Sequence, residues 1–273
     1  MASQQLPDEI IKEIVAPALQ VSDHAFINTE KISPFATYTE STSAILLVCK
    51  GWLRVSTPLL YNVVVLRSTA QTRALARALT ANPLLGSFIR KLRLEGGFGQ
   101  PVETIVRLGP NITELCITLE IYSSDHTVGL CRALPMMDLK RLIICDAAYD
   151  NIYKNQQLSN LYRALSICVK TWKSLTVVDL PYVGHDHGAR INHISQIMAE
   201  APYVKTLNLR HPQRSKHLIE SLAKCPSLEV IRVIPQGTDE ITAMNETRRF
   251  ALKLGKEQDR LSNLLRVEYP ETR

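Results

Sequence analysis

From Ile89 onward the chain repeats one short phrase: an apolar residue, two variable ones, an apolar residue, one variable, and a third apolar residue. The copies are Ile89/Leu92/Leu94, Ile112/Leu115/Ile117, Leu139/Leu142/Ile144, Trp172/Leu175/Val177, Val204/Leu207/Leu209 and Leu228/Ile231/Val233. Their starts lie 23, 27, 33, 32 and 24 residues apart, near one strand plus one helix per unit. Leu261, Leu264 and Val267 form an imperfect seventh copy. Between the phrases, apolar residues recur at helical spacing and predict helices over 70–80, 101–108, 127–134, 158–169, 191–201, 216–223 and 241–256. Pro83, Pro110, Pro135, Pro202 and Pro226 stand just before strand phrases, where a proline cannot continue a helix. None of these units can bury its apolar face alone, so they must stack, with parallel strands side by side and helices outside.

A doubly wound α/β sheet is the other architecture that this alternation allows. Such sheets commonly carry a glycine-rich phosphate loop after a strand. Glu95-Gly96-Gly97-Phe98-Gly99 comes nearest but lacks the required spacing, and reads as a turn. In a stacked arrangement, the residues between the buried leucines point to the opposite, open face of the sheet. These are Lys91, Arg93 and Glu95; Glu114, Cys116 and Thr118; Arg141, Ile143 and Cys145; Ser174, Thr176 and Val178; and Thr206, Asn208 and Arg210. Lys91, Arg93, Glu114, Arg141, Thr176, Asn208 and Arg210 are therefore the candidate residues for holding a partner segment there.

The first 66 residues are built differently. Pro7 suits the opening turn of a helix, and Asp8 and Glu9 put negative charge at the positive end of its dipole. Ile10, Ile11, Ile14 and Val15 then form one apolar stripe. A second apolar segment, 44–55, stops at Ser56-Thr57-Pro58 and leads through Leu59-Leu60-Tyr61 into Val63-Val64-Val65-Leu66.

This arrangement resembles the F-box, the helical module that grips the Skp-type adaptor of cullin–RING ubiquitin ligases. The resemblance rests on Leu6-Pro7, on Ile10 and Ile14, on Val48-Cys49-Lys50-x-Trp52, and on Pro58-Leu59-Leu60-Tyr61. It implies adaptor binding through Leu6, Pro7, Ile10, Ile14, Val48, Cys49, Trp52, Leu60 and Tyr61. The first two helices of the family are normally joined closely, whereas residues 21–43 intervene here, as in similar fungal F-box-like proteins. A surface insertion of this length costs little closure entropy. Its Ser, Thr, Asn and Pro content predicts a dispensable, protease-sensitive loop, although Phe26, Ile27, Ile32 and Phe35 could fold it back onto the helices as a flap. The body similarly resembles the degenerate leucine-rich repeats that often follow an F-box, without their asparagine ladder or strict period. The resulting expectation is an α/β protein. Residues 1–66 form an F-box-like adaptor-binding module, and 67–273 form an irregular leucine-rich-repeat-like solenoid with a parallel sheet on its concave side.

The function implied is that of a non-catalytic substrate receptor in an SCF-type ligase, linking a Skp-type adaptor to a protein substrate. A repeat scaffold or nucleic-acid-associated protein outside any ligase is the alternative. The residues favour no enzyme: G-x-S-x-G, H-E-x-x-H and an activated-cysteine signature are all missing. Gly184-His185-Asp186-His187-Gly188 with His193 is the only cluster with metal-ligand character, and its flanking glycines favour a polar loop. No cofactor is expected. Six singly spaced cysteines fit a reducing compartment, and the polar start with only short apolar runs implies no membrane span. Together they point to the cytoplasm or nucleus. The net charge of +6 is uneven. Four bases against six acids give residues 1–66 a net −2, which leaves +8 on the body. Basic pairs such as Arg90-Lys91 and Lys140-Arg141 lack the interleaved aromatics of a nucleic-acid platform.

Overall fold

The computed structural model describes residues 6–29, 32–37, 42–122, 124–145, 155–180, 199–209, 224–233 and 263–267, together with Ile197, Asn245, 248–250 and Leu252. Eight strands form one all-parallel sheet in the order β1 to β8: β1 Val63–Leu66, β2 Lys91–Leu94, β3 Glu114–Thr118, β4 Arg141–Cys145, β5 Val177–Leu180, β6 Thr206–Leu209, β7 Val230–Val233 and β8 Leu265–Val267. Each strand pairs with the next in sequence, and the order never reverses. A doubly wound sheet needs such a reversal at its switch point.

The connections after β1 to β4 contain α4 Thr69–Ala81, α5 Pro101–Leu108, α6 Val128–Ala133 and α7 Gln156–Cys168. These helices pack on one another in that order, as a single row. Local chemistry sets their starts. Ser68 caps α4 by accepting from the Gln71 N–H, Pro101 opens α5, and the Asn155 side chain accepts from the Gln157 and Leu158 N–H groups. Between helices and sheet lies the main core, built from the phrase residues Leu92, Leu94, Leu115, Ile117, Leu142, Ile144, Leu207, Leu209, Ile231 and Val233, all buried. Gly129, at the start of α6, packs so closely on the Gly99 carbonyl that any side chain there would collide with it. The connection from Glu95 to Gly99 turns through left-handed backbone at Phe98 and Gly99.

Two phrases are out of register with the sequence pattern: in the imperfect seventh the strand positions paired with the core residues Ile231 and Val233 are Leu265 and Val267, with Leu264 before the strand. The fourth strand triple is Leu175/Val178/Leu180, with Val177 and Asp179 on the open face. Thr176 therefore lies before β5, its N–H donating to the Lys140 carbonyl at 3.1 Å. Trp172 misled the pattern: it is buried in the turn after α7, its indole N–H donating to the Leu134 carbonyl at 3.2 Å. An aromatic that caps the core at phrase spacing looks like a strand residue in sequence.

The N-terminal elements are α1 Asp8–Leu19, α2 Asp23–Phe26, a 3₁₀ turn Thr42–Leu47 and α3 Lys50–Asn62. The segment 44–55 is thus not one helix, and α3 does not stop at Pro58 but runs on through it. Pro58 removes the donor that the Arg54 carbonyl would otherwise take, and the preceding Thr57 hydroxyl donates back to the Leu53 carbonyl at 2.6 Å. α3 passes directly into β1, the edge strand of the sheet. The expected single stripe on α1 is two faces. Ile11, Val15 and Leu19 are buried against Trp52, Val55, Leu59 and Leu60, whereas Ile10 and Ile14 are exposed. Residues spaced i, i+4, i+8 share a face, so both sets keep helical spacing and only packing distinguishes them.

Candidate functional site

Two surfaces hold the residues singled out above. The first is the outer side of the helical module. Leu6, Ile10, Ile14, Leu47, Val48 and Leu53 are between 42% and 85% exposed. Asp8 accepts from Arg54 at 2.7 Å, tying the start of α1 to α3. Pro7 and Cys49 are exposed at the N-cap positions of α1 and α3. Trp52 and Leu60 instead pack against the buried Ile11 cluster, and Tyr61 packs against the main core. Six of the nine adaptor candidates therefore face outward, and three mostly hold the module together. Leu47 and Leu53 were not singled out from sequence, because an exposed leucine inside an apolar run reads as core.

The second surface is the open face of the sheet, and part of it is covered. Burial along β2 to β4 does not alternate: Arg93, Cys116 and Ile143 are as buried as the core leucines beside them. The cover is the described part of the 21–43 insertion, residues 21–29 and 32–37. Phe26 of α2 is fully buried against Cys116 and Ile143, with Val21, Ile27, Val63 and Cys145 around them. Ser22 caps α2 by accepting from the Ala25 N–H at 3.2 Å. The expected loose loop is packed in its described part, and it lies on the sheet rather than back on the helices. A single large aromatic, seated on an apolar spot of the sheet, overrides a polar composition.

Polar groups fix the rest of this contact. Lys91 donates to Asp23 at 2.5 Å and pairs with Glu114 at 3.1 Å. The Arg93 guanidinium donates to the Phe26 and Asn28 carbonyls at 2.8 and 2.7 Å. Glu95 accepts from the Ser33 hydroxyl at 2.6 Å, from Arg93 at 2.7 Å and from Arg67 at 2.9 Å, and Arg67 also donates to the Phe35 carbonyl at 2.7 Å. Burial alone would lower the pKa of Lys91 and raise that of Glu95, but in both cases the partners win. The Asp23 and Glu114 carboxylates hold the Lys91 ammonium above its ordinary value, and Ser33, Arg93 and Arg67 hold the Glu95 carboxyl below its ordinary 4.5. The Cys116 and Cys145 sulfurs approach to 3.4 Å. Burial, reinforced by Cys145, pushes the Cys116 thiol well up, so it stays protonated and unreactive.

Beyond the insertion the same sheet face is polar. Arg141 grips Asp179 through two hydrogen bonds, at 2.7 and 2.9 Å, and Asn208 donates to Asp179 at 3.1 Å. Asp179 is fully buried, yet the sequence reading passed over it because the Trp172 register put it on the wrong face. Arg210, the His185–His187 cluster and His193 lie outside the described residues. Among the described residues no three His, Cys, Asp or Glu side chains converge as metal ligands, and no helix is long and apolar enough to cross a membrane.

The Glu95 network makes a pH-dependent prediction. A carboxyl whose folded pKa lies below its unfolded one adds stability that is complete above about pH 4.5 and is lost as the pH falls through the lower folded value. Glu95→Gln should lower stability by about 2 kcal/mol near neutral pH, the scale of charge-assisted hydrogen bonds. That deficit should shrink as the pH falls from 4.5 through the lower folded value. Urea midpoints of the two proteins across this range check it, and a deficit independent of pH would contradict the assignment.

No protein-family model matches this chain, and neither does any curated protein.

Proposed function

We propose that the chain is the substrate-receptor subunit of an SCF-type cullin–RING ubiquitin ligase. In this reading the N-terminal helices are an F-box-like hook for a Skp-type adaptor, and the body is an irregular leucine-rich-repeat-like solenoid that receives a protein substrate. One observation carries the proposal: α1 has two apolar faces, and among the described residues only one is covered. Ile11, Val15 and Leu19 already close the module's own core, so Leu6, Ile10, Ile14, Leu47, Val48 and Leu53 contribute nothing to it. Exposed aliphatic side chains on a helical hook are the elements that fill a partner's groove and carry most of its binding energy.

The uninterrupted strand order suits a repeat stack, in which each unit contacts only its neighbours. The receptor performs no bond chemistry. It raises the effective concentration of a substrate beside a ubiquitin-charged enzyme carried by another subunit. The test is direct titration of a purified Skp-type adaptor into the full chain by calorimetry. A saturable complex with one adaptor per chain is expected, and absence of heat and of co-elution would overturn the reading.

A further inference from the structure

We infer that the open face of β1 to β4 is a docking site for a short protein segment bearing an acidic residue three positions before an aromatic one, and that residues 21–29 of the insertion are its tethered internal occupant. The inference deepens the receptor reading by naming the substrate feature that the body takes, and it rests on that reading only for its biological purpose.

The insertion seats like a bound peptide. Its single deep anchor is Phe26, on an apolar spot made by Cys116 and Ile143. Asp23, one helical turn earlier, meets Lys91, whose ammonium also sits 5.5 Å from the centre of the Phe26 ring. Arg93 reads the two backbone carbonyls that follow, at Phe26 and Asn28, and these would be offered by any sequence. Acid, aromatic and backbone are thus recognised by three adjacent elements of the sheet face.

The contact forms a small apolar cluster of its own, separate from the main core on the helix side of the sheet. The face beneath it is continuous with the Asp179, Asn208 and Arg232 row of the same sheet. An open pocket of about 160 Å³ lies beside the insertion, between Thr29, Ser33, Arg93, Glu95, Cys116 and Tyr122. Around Phe26 the contact has a few partly buried apolar neighbours, Val21 and Ile27 among them, and the rest is ion pairs and hydrogen bonds. Segments held in this way open without unfolding the domain. Because the insertion belongs to the same chain, its effective concentration is on the order of 1 mM, so a free segment displaces it only when it binds better than the built-in copy.

The probe is a fluorescent peptide with the sequence of residues 21–37, measured by anisotropy on the full chain. The Asp23→Ala/Phe26→Ala variant, which empties the site, should bind it at micromolar concentrations, whereas the unaltered protein should show no binding in that range. Lys91→Glu added to the emptied variant should weaken binding at least tenfold, and a peptide carrying Asp23→Lys should restore it. Failure of a folded emptied variant to bind the peptide, or equal binding by the unaltered protein, overturns the inference. Because adaptor binding plays no part in this assay, its failure leaves the hook untouched, and failure of the adaptor titration leaves this assay valid. Hydrogen exchange on the unaltered protein needs no variant. The Phe26 and Ile27 amides should exchange at least tenfold faster than those of Leu115 and Cys116 in β3, and equal protection would mark the insertion as permanent core.

Discussion

Leu207→Asp is expected to abolish cooperative folding of the body. Leu207 is fully buried in β6, between Val178 of β5 and Ile231 of β7 on the helix side of the sheet. A carboxylate there loses its water and gains no partner, and the transfer of a charge into an apolar interior costs several kcal/mol even when the group escapes by taking up a proton. The lost leucine contacts add about 2 to 5 kcal/mol, as large-to-small core changes do. Together they reach the whole stability of a typical domain, about 5–15 kcal/mol. Thr206→Asp is the control. Thr206 precedes Leu207, points to the other face and is half-exposed, so its substitution should cost about 1 kcal/mol or less. Circular dichroism against urea separates the two, and similar midpoints would mean that the sheet is not packed as described.

The contrast between these neighbours explains why much of the fold was legible in the sequence. A strand residue and its neighbour face opposite ways, so the leucines of five phrases fall on the helix side in the register that their spacing indicates. The start of α5 was legible for a similar reason, since Pro101 suits a first helical turn, where its missing N–H would have no partner anyway. What periodicity cannot convey is which face another element covers. Ile11 and Ile14 are equally apolar and differ by less than a turn, but one closes the module and the other faces solvent. Phe26 sits in a polar stretch, and its partners Cys116 and Ile143 are ninety or more residues away. Trp172 shows the opposite failure, a correct spacing filled by a residue doing a different job. The candidate residues on the sheet face were legible as a surface. Lys91 and Arg93 nonetheless spend their donors on the chain's own insertion, a long-range contact that no local pattern encodes.

The other large effect belongs to the helical module. Ile10→Asp/Ile14→Asp should reduce adaptor affinity at least a hundredfold while leaving thermal unfolding nearly unchanged. Both side chains are more than 40% exposed, so placing charge there costs the free protein little. In the complex the same positions would put two carboxylates in a partner's apolar groove, where each loses its hydration and the aliphatic contact it replaces. About 2.7 kcal/mol corresponds to a hundredfold loss of affinity, and two buried charges exceed it comfortably. The choice of positions matters, because Trp52→Ala would give an ambiguous answer. Trp52 packs on Ile11, Val15 and Leu19, and its loss would weaken binding merely by loosening the module. Ile11→Asp makes the same point from the other side: it should unfold the module and lower the transition temperature whether or not any adaptor exists. The decisive pattern is therefore a double variant that melts like the unaltered protein and does not bind. If it melts normally and binds the adaptor with unaltered affinity, the exposed face of α1 is not the hook, and the ligase reading loses the one observation that carries it.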